Sequence, residues 1–206
     1  MITDKRRRMF ERVAAGRQEM TVILENVHDP HNIGAVIRTC DAVGIYEIFV
    51  LYTEDHLDFE RLERIKSSST GVRKWMQLHT FRDIDDCMAE VRKRYDLVLA
   101  THLDCEASSI YNSDLGRRIA FLFGNEHEGV SQKALQYADG NLLIPQMGMA
   151  QSLNISVACA VTLYEAMRQR DLKGMYQTAI AQDDILRKNI LSYYLDKHLE
   201  SYKPDK

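Results

Sequence analysis

The sequence predicts an α/β domain: a mostly parallel sheet with helices on both faces. Short apolar runs of strand length alternate with segments of helical periodicity from end to end, which is the rhythm of βαβ units. The runs are close to continuously apolar rather than alternating, as strands covered on both faces require. At 206 residues the chain is long enough to bury a sizeable core and fits one domain with short appendages.

A polar helix is expected at residues 4–16. The first strand follows at 21–25 (Thr-Val-Ile-Leu-Glu), where β-branched residues suit an extended backbone. A helix at 33–43 leads to a second strand at 47–52. Further strands are expected at 75–78, 96–101, 119–123 and 141–144, with helices at 59–67, 84–94 and 131–138 between them. A long helix then opens at Ser152, read as its N-cap. Its apolar positions Val157, Ala160, Val161, Tyr164 and Met167 recur at helical spacing, which predicts that they face the core. A last helix at 183–201 carries Ile185, Leu186, Ile190, Leu191, Tyr194, Leu195 and Leu199 as an apolar stripe. That stripe has to bury on its own domain or on a partner chain.

The formal net charge of -3 argues against bulk attraction to a polyanion. Local basic clusters can still grip phosphate: residues 5–8 (Lys-Arg-Arg-Arg), Arg61 with Arg64 and Lys66, Arg73-Lys74, Arg92 with Arg94, and Arg117-Arg118. Each could equally be a solvated helix or loop face. No apolar run approaches a membrane span, and the first residues lack the apolar region of a signal peptide, so a cytoplasmic location is expected. Cys40, Cys87, Cys105 and Cys159 are scattered, with no Cys-x-x-Cys pair for zinc, and read as reduced core thiols.

In a parallel sheet, ligands bind beyond the carboxyl ends of the strands, and three segments put polar residues there. The first runs from Asn26 to Thr39. Asn32 reads as a helix N-cap, and Arg38 falls almost two turns later, near the same face. On this segment alone, a capping Asn32 and a solvated Arg38 stand beside any functional role. His28 and His31 have no third ligand at metal-binding spacing and read as loop histidines. In the second segment, Phe123-Gly124-Asn125-Glu126-His127-Glu128-Gly129, two glycines flank acidic residues at a strand end, and Ser131 caps the following helix. The third segment, from Ile144 to Ala158, passes from a strand through a turn into the long helix. Ser152 and Asn154 there sit at the positive end of the helix dipole. No GxGxxG or Walker A pattern supports a dinucleotide or triphosphate site.

Taken together, the three segments resemble the SPOUT-class RNA ribose 2'-O-methyltransferases. The matching motifs are Asn32…Arg38-Thr39, Phe123-Gly124-Asn125-Glu126…Gly129 and Ile144-Pro145…Ser152-Leu153-Asn154-Ile155-Ser156-Val157-Ala158. Within that class, Leu24-Glu25-Asn26-Val27-His28, Pro30-His31-Asn32 and Gly148-Met149-Ala150-Gln151-Ser152-Leu153-Asn154 look like the tRNA (guanosine(18)-2'-O)-methyltransferase subfamily, which acts on the tRNA D-loop. The match covers roughly residues 9–170.

The resemblance implies a deep trefoil knot at about residues 120–170, inside a methyltransferase domain at 19–170 flanked by helical extensions at 1–18 and 171–206. It implies methyl transfer from S-adenosylmethionine to the 2'-hydroxyl of a tRNA guanosine, by a homodimer needing no metal. Another tRNA nucleotide, an rRNA, or a non-catalytic RNA-binding module are the alternatives. The cofactor would be held by Thr101, Phe123, Gly124, Ile144, Met149 and Leu153. The catalytic set would be Arg38, Asn32, Glu126, Ser152 and Asn154: Arg38 as base or as a cation stabilising the alkoxide, Asn32 bracing the Arg38 loop, Glu126 orienting polar groups, and Ser152 and Asn154 fixing geometry. The short helical start, in place of the extra N-terminal domain of rRNA-directed members, favours tRNA. Two departures are Asp29, where a basic residue is common, and the acid-leaning net charge.

Overall fold

A computed structural model of the protein describes residues 2–60, 62, 71–102, 107–149 and 152–200. The helices are α1 (Asp4–Ala15), α2 (Pro30–Ala42), α3 (Ile84–Arg92), α4 (Gln132–Leu135), α5 (Ile155–Leu172) and α6 (Ile185–Glu200). The strands are β1 (Met20–Glu25), β2 (Glu47–Leu51), β3 (Gln77–Phe81), β4 (Leu97–Ala100), β5 (Ser108–Ser109), β6 (Ile119–Phe123) and β7 (Gly140–Leu143). They form one seven-stranded sheet in the order β3-β2-β1-β6-β4-β7-β5, with every pairing parallel. β5 is a two-residue edge strand without an apolar run, and periodicity gave no sign of it. The third strand begins two residues later than expected, because a 3₁₀ turn occupies Val72–Trp75. The helix expected at 59–67, Cys105 and the Arg61, Arg64 and Lys66 cluster fall wholly or largely outside the described residues.

The continuously apolar strands are buried on both sides, as their composition requires. Val22 and Leu24 of β1, Ile48 and Val50 of β2, and Phe121 and Phe123 of β6 point to one face, packed with α2 and α5 through Ile33, Ile37, Cys40, Cys159, Leu163 and Ala166. Their neighbours Ile23, Phe49, Leu51, Ala120 and Leu122 point to the other, against Ile84, Cys87, Met88 and Val91 of α3 and Ala134 of α4. Each fully buried aliphatic or aromatic side chain contributes about 1.5–3 kcal/mol. Cys40, Cys87 and Cys159 are buried free thiols, consistent with the expectation for them.

The long helix turns a different side to the core from the one its spacing suggested. Ile155, Cys159, Thr162, Leu163, Ala166 and Arg170 are buried, whereas Val157 and Tyr164 are 47% and 53% exposed. Val161 and Met167 lie between, partly buried at the edge of the core. Up to Met167 the helix carries apolar residues on more than one side, so two faces fit a helical period and periodicity cannot rank them. The tail stripe, by contrast, buries on its own chain. Ile190 and Tyr194 of α6 pack with Phe10 and Ala14 of α1 and with Tyr46, and Trp75 lies edge-on to Tyr194 at 5.9 Å. Ile185 and Leu199 stay exposed. Among the described residues, no helix is long and apolar enough to cross a membrane.

At the amino ends of the strands, polar groups are buried in mutual satisfaction. Glu47 is fully buried; its Oε1 accepts from the Tyr95 hydroxyl (2.7 Å), and its Oε2 meets His79 (2.8 Å) and pairs with Arg94. Burial pushes this carboxyl up, but the His79, Tyr95 and Arg94 contacts outweigh it, and its pKa lies below the ordinary value. Arg170, also fully buried, donates to the carbonyls of Leu115, Glu19 and Arg117 and to Gln18 Oε1, fastening the end of α5 to the starts of β1 and β6.

Candidate functional site

The carboxyl ends of β1, β6, β4 and β7 converge because β6 lies between β1 and β4, although it follows β2 through β5 in sequence. Beyond them lies a cavity of about 340 Å³. Thr101 and His102 follow β4, Phe123 ends β6, and Ile144 follows β7; with Leu153 and Ile155 from the start of α5, these form its wall. The Thr101 backbone N–H and hydroxyl both donate to the Leu122 carbonyl, holding the end of β4 in register with β6.

The loop after β6 folds back on itself. Asn125 Oδ1 accepts from the N–H groups of His127 (2.9 Å) and Glu128 (2.7 Å), and the Gly129 N–H returns to the Asn125 carbonyl (3.1 Å). Gly129 has φ +71°, in the left-handed region. The turn presses so closely that a Cβ on Gly124 would lie 1.9 Å from the Gly129 carbonyl oxygen. Only glycine fits there. Ser131 then caps α4, its Oγ accepting from the Ala134 N–H. The Ser131 N–H and Oγ also donate to the buried Glu25 at the end of β1.

The first segment differs from expectation in its cap. Asp29, not Asn32, caps α2, accepting from the His31 N–H at 2.8 Å, with Pro30 at the first helical position. The acidic residue at 29 therefore has a local structural cause. Asn32, freed of capping, lies inside the first turn and is 9% exposed; its Nδ2 donates to Glu126 Oε1 (2.5 Å), and its Oδ1 accepts from Asn154 Nδ2 (3.1 Å). Arg38 does not share its face. Six residues at about 100° each leave the two about 120° apart, so Asn32 is buried and Arg38 exposed. Arg38 makes no side-chain hydrogen bond or ion pair with the described residues.

The third segment also has a displaced cap. Asn154, not Ser152, caps α5, its Oδ1 accepting from the Ser156 N–H at 2.9 Å. Ser152 lies in the preceding turn and lines the cavity, as does Glu126. Of the six residues singled out for the cofactor, Thr101, Phe123, Gly124, Ile144 and Leu153 line the cavity. Met149 stands outside it, fully exposed. Reading the sequence missed His102 and Gln146, which also line it. Their positions next to strand ends are the signal that could have found them. Among the described residues, no group of His, Cys, Asp and Glu could hold a metal ion.

A cavity of this size, lined by both apolar and polar residues, is suited to a small molecule with a flat apolar part and a charged part. The SpoU rRNA Methylase family profile matches residues 19–164. The chain is 40% identical over 196 residues to the tRNA (guanosine(18)-2'-O)-methyltransferase of Thermus thermophilus, covering 95% of this chain and 98% of that one. Its structure is similar to the TrmH/SpoU tRNA modifying enzyme of A. aeolicus, with a TM-score of 0.80 at 30% identity over 97% of this chain and 98% of that one. It is also similar to the SpoU methyltransferase AviRb of Streptomyces viridochromogenes in complex with the cofactor AdoMet. There the TM-score is 0.64 at 27% identity, over 76% of this chain and 62% of that one.

Proposed function

The chain belongs to the SpoU rRNA methylase family, and we propose that it transfers a methyl group from S-adenosylmethionine to the ribose 2'-hydroxyl of guanosine 18 in the D-loop of tRNA. The observation that carries this reading is the cavity itself. Thr101, Phe123, Gly124, Ile144 and Leu153, from four separate parts of the chain, line one pocket together with Glu126 and Ser152. The name of a relative 40% identical over nearly the whole chain supports guanosine 18 as the target.

S-adenosylmethionine brings a methyl group already activated on a sulfonium. What remains for the protein is to hold the 2'-hydroxyl in line with it and to manage the hydroxyl proton. Orientation alone is worth about 7–11 kcal/mol in favourable cases. The apolar walls at Phe123, Ile144 and Leu153 suit an adenine, and the absence of a side chain at Gly124 lets the backbone approach it. Arg38 acts from the substrate side as a cation that stabilises the developing alkoxide, while water or a phosphate oxygen takes the proton. Its exposed position, with no side-chain partner among the described residues, leaves the guanidinium fork free to meet the substrate. Asn32, Glu126 and Asn154 brace the start of α2, the helix that carries Arg38.

The active form is a homodimer. Val157 and Tyr164 give α5 an exposed apolar side beside the cavity, and a second copy of the chain would cover it. We read residues of about 120–170 as a trefoil knot; the insertion of β6 and β7 between strands that precede them in sequence supports this. The flanking helices α1 and α6 pack on each other as extensions of the methyltransferase domain, and the enzyme works in the cytoplasm, where tRNA is.

The test is methylation of tRNA transcripts with S-adenosylmethionine, followed by nuclease digestion and mass mapping. A 2'-O-methyl group at guanosine 18 is expected, undiminished by EDTA provided the tRNA stays folded. A methyl group on another nucleotide would transfer the reading to a different RNA target. No methyl transfer to any tRNA or rRNA would leave the non-catalytic alternative standing.

A further inference from the structure

The hydrogen bonds that lead to Glu126 in the cavity lining run in one direction. Ser156 Oγ donates to Asn154 Oδ1 (2.6 Å), Asn154 Nδ2 to Asn32 Oδ1 (3.1 Å), and Asn32 Nδ2 to Glu126 Oε1 (2.5 Å). This polarity is imposed from one end. The Ser156 main-chain N–H also points at Asn154 Oδ1 (2.9 Å), and a main-chain N–H can only donate. Turning the Asn154 amide over would set its NH₂ against that N–H and leave both donors unmet. With Oδ1 held between two donors, Nδ2 has to face Asn32. Asn32 must then present its own oxygen, so its Nδ2 is directed at the carboxylate of Glu126.

We propose that Ser156 is a positioning residue. Its hydroxyl and amide fix the orientation of the Asn154 and Asn32 side chains, and through them hold Glu126 in the cavity lining beside the helix that carries Arg38. Three elements distant in sequence are thereby joined: the first turn of α2, the loop after β6 and the start of α5. The kinetic consequence rests on the methyl-transfer reading above. The relay itself does not.

Two substitutions test it. Ser156→Ala removes the hydroxyl donor and keeps the capping N–H, so the helix start is preserved. One lost hydrogen bond predicts a fall in kcat of about threefold to tenfold, with KM for tRNA and S-adenosylmethionine affinity unchanged. Ser156→Thr, which keeps an oxygen donor, should recover most of the loss. Asn154→Asp still caps Ser156 but has no donor for Asn32. An oxygen–oxygen contact then replaces one hydrogen bond of the relay, at the new carboxylate if the Asn32 amide stays and at Glu126 if it turns over, for a fall in kcat of about tenfold to hundredfold. In parallel, the Asn32 side-chain NH₂ signals in nitrogen-15 NMR should move strongly in Asn154→Asp and less in Ser156→Ala. Wild-type kcat in Ser156→Ala, or stationary Asn32 signals in Asn154→Asp, would overturn the proposal. Should the wild-type protein methylate no RNA, the functional reading falls, and the NMR signals still decide the relay.

Discussion

The two ends of the sheet make an instructive pair. The cavity at the carboxyl ends measures about 340 Å³, and a second one at the amino ends, between α6 and the starts of β2 and β3, about 400 Å³. Both have charged side chains in their lining, so neither size nor the presence of charge tells them apart. What differs is whether those groups are already committed. At the amino end Arg94 pairs with Glu47 and Glu90, Arg118 with Glu19, and Tyr95 with Glu47. At the carboxyl end one Glu126 oxygen is held in a relay, while the Gln146 and Ser152 side chains in the cavity lining have no hydrogen-bond partner among the described residues. Arg38, more than two turns into α2 and outside the cavity lining, also has no side-chain partner among the described residues. Unused hydrogen-bonding capacity, rather than volume, marks the end where a ligand can be bound.

If that contrast is correct, substitutions at the carboxyl end should cost function and those at the amino end stability. The largest effect is expected from Arg38→Ala: a loss of about 10²–10³ in kcat, as for removal of one donor that stabilises a developing oxyanion. S-adenosylmethionine affinity, measured by calorimetry, should stay close to wild type. Substantial activity in Arg38→Lys would favour simple charge stabilisation over a role for the planar guanidinium. A near wild-type kcat in Arg38→Ala would remove Arg38 from the mechanism.

Gly124→Ala comes next. The added methyl group would overlap the Gly129 backbone, so the loop after β6 must part from the cavity wall. Cofactor affinity should fall by about 100-fold, the equivalent of a few kcal/mol of misplaced contacts. The thermal midpoint should change much less than affinity; a variant that binds normally would show that this turn does not shape the cofactor site.

At the other end, Glu47→Gln should leave kcat intact and lower stability. Removing one member of a buried ion pair costs about 3–5 kcal/mol. Because Arg94 is about one-third exposed, the lower figure applies, a drop of about 6–12 °C for a chain of this size. The pH dependence has a definite sign. Glu47 has a lowered pKa in the folded state, so its contribution is present above the ordinary carboxylate value and disappears as pH falls through the folded value. The midpoints of wild type and variant should therefore converge in acid. A constant gap across pH would assign the effect to packing.

The smallest effect concerns the grip on RNA. Lys5, Arg7 and Arg8 are exposed on α1, but the Arg6 guanidinium lies over the rings of Phe10 (5.1 Å) and Trp75 (5.8 Å). Replacing Arg6, Arg7 and Arg8 together by alanine should thus remove about two phosphate contacts, not three. That flattens the dependence of log K on log salt by about 1.4–1.8, with cofactor affinity unchanged. Within one chain α1 packs with Tyr46 at the amino end of β2, away from the cavity, so these contacts require a partner chain or an RNA long enough to span the molecule. An unchanged slope would point to another surface. Arg187 is a poor substitute, because its guanidinium is already bound to Asp184 and to the carbonyls of Ala15 and Arg17.

Most of what the sequence made legible is local. Six strands could be read from runs such as Ile119–Phe123, because a run buried on both faces has to be apolar at every position. Ser131 could be recognised as a cap, and the glycines around Asn125 as a turn, because the cause lies within a few residues. The resemblance that joined Asn32, Arg38, Glu126 and Asn154 drew on known proteins. Spacing alone favoured a capping Asn32 and a solvated Arg38.

Only the tertiary structure decided what depends on residues far apart. It put β6 between β1 and β4, where the crossovers and not the strand's own composition set its place. It chose the Ile155, Cys159 and Leu163 side of α5 for the core, since a helix with apolar residues on more than one side takes its orientation from its neighbours. It gave the capping of α2 to Asp29 and of α5 to Asn154, because the entry angle of the chain selects among adjacent capping residues. It also brought Asn32 to Glu126 and Asn154, 94 and 122 residues away. Periodicity and propensity act over a few turns of chain, whereas a buried amide takes its partners from whatever the completed sheet places beside it.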